Sequence, residues 1–249
     1  MSPKAEHILD IAGLRTTAVG SPDAPLTLVL LHGYAMRPSD LSPFAHSLGV
    51  PAFFLFPQGP LPSPGGGHAW WGVDEEARAA AIAAGPRDLA NEYPPGLPAA
   101  RLQLERFLDA VAADYSLSRT VTSHTATSRT VATRTVPSRT VIGGFSQGGM
   151  LALDWALRCA QDFDGLVLLS SSRVTTNEWL PRRARLATLP VFVSHGAADT
   201  DLAYTAGERL RDFVLESEAR VTWVPFEGGH EIPLIVWRAL RKFLGALLK

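Results

Sequence analysis

The chain has 249 residues, of which 46% are hydrophobic and 19% charged, with a formal net charge of −1. Such a length suits one larger domain or two small ones, and it can bury a core without staples. The near-neutral balance leaves no field to recruit nucleic acid or an anionic membrane, and a single cysteine, Cys159, excludes an intrachain disulfide and fits a reducing compartment.

The opening stretch MSPKAEHILDIAG lacks the uninterrupted apolar segment of a secretion signal. No apolar run approaches the ~20 residues of a membrane span. A soluble, cytoplasmic protein is expected. Then come short apolar runs bounded by turn residues: LTLVLLHG (26–33), AFFLFPQG (52–59), RTVIGGFS (139–146), GLVLLSS (165–171), PVFVSHG (190–196) and VTWVPFEGG (221–229). Runs of this kind read as strands buried on both faces. Helical patterns lie between and after them, over residues 97–115, 148–160, 203–216 and 232–248. Strand followed by helix, repeated, predicts a mostly parallel sheet with helices on both faces and the site at the strands' C-terminal ends. No composition break marks a second domain, and the segment between LVLLSS and PVFVSHG is too short for a cap domain. Residues 61–74, LPSPGGGHAWWGVD, read as a long loop.

Residues 118–141 stutter: SRTV occurs three times and TRTV once, at a five-residue step. An odd step puts successive valines on opposite faces of a strand, and in a helix it rotates them by roughly 140°. The expectation is a flexible insertion at 118–137, irregular and without a core of its own.

The last copy runs into Gly-Phe-Ser-Gln-Gly, Gly144 to Gly148, which fits G-x-S-x-G between a predicted strand and a predicted helix. A serine on so sharp a turn needs small neighbours two residues away on either side. Ser146 is the expected nucleophile. Its hydroxyl needs a base, and the chain order Ser, acid, His selects His230 over His195. The acid lies between them, after PVFV, where Asp199 and Asp201 both stand; Asp199, nearer the strand end, is the expected acid, and Asp201 competes with it. Oxyanion donors are expected from the backbone N–H groups of Gln147, after the nucleophile, and Tyr34, after the first apolar strand. His32 reads as a structural residue that fixes its loop. Trp70 and Trp71 either line an acyl pocket or pin the long loop to the core. Cys159 reads as a small buried residue. No HExxH, Walker or dinucleotide fingerprint is present, so no metal or nucleotide is expected.

LHGY, FPQGP, AWW, GGFSQGGMLAL, HGAADTDLAY and GGHEI, in this order, resemble the phospholipase/carboxylesterase family of α/β-hydrolases, the group related to acyl-protein thioesterases. The resemblance covers most of the chain from Leu26 onward. It implies the α/β-hydrolase fold, a triad of Ser146, Asp199 and His230, and oxyanion donors at Tyr34 and Gln147. It also implies hydrolysis of carboxylic esters or thioesters without a cofactor, and the expected substrate is a small-molecule acyl ester or thioester. The family's acid motif usually continues with Val-Pro, where this chain reads TDLAY, and the five-residue repeat has no counterpart there. Two rivals share the fold: a catalytically silent small-molecule receptor or scaffold, and an acyltransferase to an alcohol. Acyl length, ester against thioester and oligomeric state are not written in the sequence.

Overall fold

The computed structural model describes residues 6–116, 119–123, 132–136 and 138–249. Ahead of the first apolar run, β1 (Glu6–Ile11) and β2 (Leu14–Val19) pair antiparallel. Ala12 and Gly13 join them with φ values of 51° and 80°. Two positive φ values suit the twist of a tight hairpin. The expected strands follow as β3 (Leu26–Leu31) and β4 (Phe53–Pro57). Two-residue strands β5 (Leu61–Pro62) and β6 (His68–Ala69) pair within the long loop, and β7 (Arg119–Ser123) and β8 (Ala132–Val136) fall in the repeat. The remaining expected strands are β9 (Arg139–Phe145), β10 (Gly165–Leu169), β11 (Pro190–Gly196) and β12 (Arg220–Phe226).

Eight strands form one sheet in the order β1-β2-β4-β3-β9-β10-β11-β12. From β4 to β12 all pairs are parallel; β2 runs antiparallel to β4. The chain leaves β3 for β4 on one side and later takes up β9 on the other. The order of winding therefore reverses between β3 and β9, and a crevice opens beyond their C-terminal ends.

Side chains of the central strands alternate between two cores, which is why these strands read as unbroken apolar runs. Leu26, Leu28 and Leu30 of β3 pack in one core with Ala45 of α1 (Ser42–Ser47) and with Trp237, Leu240 and Leu244 of α7 (Leu234–Leu247). Val29 and Leu31 face the other. There they join Leu104 and Phe107 of α3 (Leu97–Val111), Leu151 of α4 (Gln147–Ala156) and Leu210 of α6 (Tyr204–Leu215). A ten-residue helix, α2 (Glu75–Ala84), buries none of its residues, and α5 (Thr176–Trp179) is a single turn. No helix among the described residues is long and apolar enough to cross a membrane.

Ten described residues of the repeat are not irregular. β7 and β8 form a two-stranded sheet of their own, with Thr120 opposite Thr135 and Thr122 opposite Thr133. Antiparallel pairing fixes only the sum of partner numbers, so a five-residue step does not prevent it. Thr and Val also favour extended backbone. Residues 118, 124–131 and 137, on which the rest of that expectation falls, lie outside the described residues. The repeat enters β9 at Arg139, while Ser146 follows its far end at Phe145. Seven strand residues span roughly 20 Å. Deleting residues 118–137 is therefore expected to leave turnover of a small ester within about twofold, because changes of loop length alone involve only about 0.6 kcal/mol per doubling. Steady-state rates and a thermal melt of the deletion variant check this, and a large loss of activity in a folded variant would refute it.

Candidate active site

Ser146 stands between β9 and α4 with φ 51° and ψ −117°. A residue other than glycine holds such a backbone only where the surroundings impose it. The neighbouring glycines show how. A Cβ on Gly144 would lie 2.3 Å from the carbonyl carbon of Gly148, and one on Gly148 would lie 2.4 Å from the Leu31 oxygen. Strand and helix pass each other with no room for a side chain. The Ser146 N–H donates to the Leu169 carbonyl at 2.9 Å, and Ser171 Oγ donates to the Ser146 carbonyl at 3.1 Å, so β10 and its following loop clamp the turn.

His230 lies in the loop after β12, its ring 4.8 Å from that of Phe145 between centroids. Its Nδ1 is 2.7 Å from Asp199 Oδ2. Asp199 follows β11, and its Oδ1 accepts from the N–H groups of Asp201 and Leu202, each at 2.9 Å. Burial alone would raise the Asp199 carboxyl; the bonds from His195, His230 and the Leu202 N–H outweigh it and hold the group well below the usual carboxylate range. Asp201 is engaged elsewhere. One of its oxygens pairs with Arg78 and the other with Arg87. These ion pairs overcome burial and lower its carboxyl as well. The structure thus brings Asp199, and not Asp201, to His230.

Tyr34 follows β3 and Gln147 opens α4, so their N–H groups sit at the two strands flanking the crevice. Among the described residues neither N–H donates to a protein acceptor. The Tyr34 hydroxyl donates to Glu75 of α2; burial first, then the Glu75 carboxylate, pushes the phenol up to about 12. The Gln147 amide holds the tryptophan loop: its Oε1 accepts from the Trp70 N–H at 2.9 Å, and its Nε2 donates to the Trp71 carbonyl at 3.1 Å.

The two tryptophans part company. Trp71 lines the cavity described below. Trp70 does not, which corrects the pocket reading for that residue. Its indole N–H donates to the His32 carbonyl at 2.9 Å and its ring packs 5.2 Å from the His32 ring, so it pins the loop. His32 acts as a fixture too. Its Nε2 accepts from the Gly59 N–H at 2.8 Å, which leaves the proton on Nδ1, 2.8 Å from the Gly33 carbonyl. Burial lowers its pKa to about 4, against the opposing bond to Gly33. The unfolded chain takes up this proton near the ordinary value of 6.5, so stability falls as pH drops from about 6.5 to about 4. This ring alone accounts for a loss of about 3 kcal/mol. Urea unfolding at several pH values should show a shallower dependence over that window in His32→Gln than in wild type; equal slopes would contradict it.

Ser146, His230, Tyr34 and Gln147 all line one cavity of about 420 Å³. Met36, Leu41, Phe44, Trp71, Met150 and Ile232 give it apolar walls, and Arg78, Arg87 and Asp201 supply a charged sector. Sequence reasoning did not find Arg78 or Arg87. Arg78 lies on a helix with no buried face, and both pair with an aspartate more than a hundred residues away. Cys159 is buried, and burial pushes its thiol up. Among the described residues no cluster of His, Cys, Asp or Glu has the arrangement of a metal site.

The parallel sheet, the sharp serine turn at its switch point and the following helix define an α/β-hydrolase fold. Solved structures agree: esterase PE8 superposes with a TM-score of 0.70 over 98% of this chain and 99% of that one, at 21% identity. A model of the phospholipase/carboxylesterase family matches residues 110–248, and the chain belongs to that family. It is similar to acyl-protein thioesterase 1 of Neurospora crassa, 33% identical over 107 residues, which are 41% of this chain and 44% of that protein. The same-named protein of Mycosarcoma maydis is 38% identical over 81 residues, 29% of this chain and 31% of that one. The chain thus spans less than half the length of the curated relatives it matches.

Proposed function

We propose that this chain is a serine hydrolase that cleaves carboxylic esters or thioesters through an acyl-enzyme. The observation that carries the reading is the convergence on one largely apolar cavity of Ser146, His230, whose ring is held from behind by Asp199, and two unengaged backbone donors. Ser146 Oγ attacks the acyl carbonyl carbon while His230 takes its proton at Nε2. Asp199 keeps the other ring proton on Nδ1 and steadies the imidazolium. The oxygen that gains charge is met by the Tyr34 and Gln147 N–H groups, a kind of contact whose loss typically lowers rate ~10²–10³-fold. His230 returns the proton to the departing alcohol or thiol. Water then repeats the sequence on the acyl-serine and regenerates Ser146, so no cofactor enters. The apolar walls suit the hydrocarbon part of an acyl group. Relatives named acyl-protein thioesterase favour including thioesters.

The test is a panel of acyl esters and matched thioesters of rising chain length, assayed with wild type and Ser146→Ala. Turnover by wild type alone, varying with chain length, is expected. Equal background rates for both proteins across the panel would instead fit a silent receptor, and product appearing as a new ester only when an alcohol is supplied would fit an acyltransferase.

A further inference from the structure

Asp199 is met by a second histidine. His195, the penultimate residue of β11, has no exposed side-chain surface, and its Nε2 lies 3.3 Å from Asp199 Oδ2, the oxygen that also meets His230. The same nitrogen is 3.0 Å from the Leu202 carbonyl. A carbonyl oxygen only accepts, so the His195 proton sits on Nε2 and is shared between two acceptors. The other ring nitrogen, Nδ1, is buried with no partner among the described residues, so nothing there stabilises a second proton. Space for the ring is made by α6, where a Cβ on Gly207 would come within 2.4 Å of its Cγ. A buried imidazole with one orphan nitrogen is a poor filler compared with leucine, since an unpaired buried polar atom costs about 1–3 kcal/mol. Its N–H is what distinguishes it.

We propose that His195 is a positioning residue of the hydrolytic site, its Nε2–H holding the Asp199 carboxylate toward His230 and offsetting part of its charge. This rests on reading Asp199 and His230 as acid and base. Four donors then fix Asp199: two backbone N–H groups on Oδ1 and two imidazoles at Oδ2. The other ionisable groups around this cluster are Glu231, next to His230 on the same cavity wall, Asp201 with its partners Arg78 and Arg87, and Tyr204 of α6, whose ring stands edge-on 6.3 Å from that of His195. None of these donates to Asp199 through a side chain among the described residues, so losing the His195 N–H leaves the carboxylate's charge less offset. Its pull on the His230 imidazolium then grows, and a base that is protonated more easily fails at a higher pH.

The experiment is the pH profile of kcat/KM for wild type, His195→Leu and His195→Gln. Leucine removes the donor; the glutamine amide can present an N–H near the former Nε2. The acid limb is expected to move up by about half a pH unit in His195→Leu, where one unit equals about 1.4 kcal/mol, and to stay in place in His195→Gln. An unmoved limb in His195→Leu, even with a lower melting temperature, would mean that the ring only packs. Equal shifts in both variants, or a downward shift, would equally overturn the proposal. Should His195→Leu not fold, ¹⁵N resonances of wild-type His195 decide: a neutral ring protonated at Nε2 from pH 5 to 8 supports it, and a proton on Nδ1 or a cationic ring refutes it. A phosphonate probe on wild type separates the two levels. No labelling of Ser146 sinks the acid–base reading itself, whereas a labelled enzyme with an unmoved limb sinks only the role of His195.

Discussion

Ser146→Ala and His230→Ala are each expected to lower turnover of a small acyl ester on the order of 10⁴-fold or more, and the double variant little further. The hydroxyl is a poor nucleophile until a base takes its proton, so either change stops the same step. Residual catalysis would come from the Tyr34 and Gln147 N–H groups and from binding in the cavity, which neither substitution touches. A phosphonate should label wild type at Ser146 alone and label His230→Ala far more slowly. In wild type, kcat/KM should fall as acid protonates His230, because the cation cannot accept the Ser146 proton. Losses that multiply in the double variant would show that the two residues act in different steps.

The parts of this molecule that could be read from its sequence are those whose signal is local. Strands β3, β9, β10 and β11 are buried on both faces, so each is an apolar run with glycine or proline near an end. The serine turn announces itself because Gly144 and Gly148 are forced by backbone contacts within a few residues and with the neighbouring strand. Chain order then selects His230. β1 and β2 carry no such signal: β1 is largely exposed, and their turn uses Ala12 at a positive φ where asparagine or glycine would have marked it. α2 has no buried face and hence no apolar period. Trp70 and Trp71 are adjacent, identical in type and both buried in one core, yet only Trp71 also lines the cavity; composition cannot tell which. Asp199 and Asp201 stand two residues apart after one strand, so in the sequence only nearness to the strand end favours Asp199 over its competitor. What separates them is the pair of arginines, Arg78 and Arg87, that the fold returns to Asp201 from more than a hundred residues away.

That separation predicts two different failures from one kind of substitution. Asp199→Asn should lower turnover about 10⁴-fold at neutral pH while the fold survives, because an amide that donates toward Nδ1 favours the wrong tautomer of His230. Its backbone partners help it stay in place: the Asp201 and Leu202 N–H groups can still donate to the amide oxygen. Asp201→Asn should do the reverse. The Asp201 N–H that supports Asp199 belongs to the backbone and is unchanged, so turnover should stay within about tenfold. Stability should drop, however, since Arg78 and Arg87, with side chains 29% and 19% exposed, lose their shared counter-charge. Breaking a fully buried pair costs 3–5 kcal/mol, and partial exposure to water reduces that to about 1–3 kcal/mol here. Steady-state kinetics and urea unfolding on the same two proteins read both quantities. If Asp201→Asn proves the inactive variant and Asp199→Asn the unstable one, the acid is Asp201, and the loop that reads TDLAY rearranges when substrate binds.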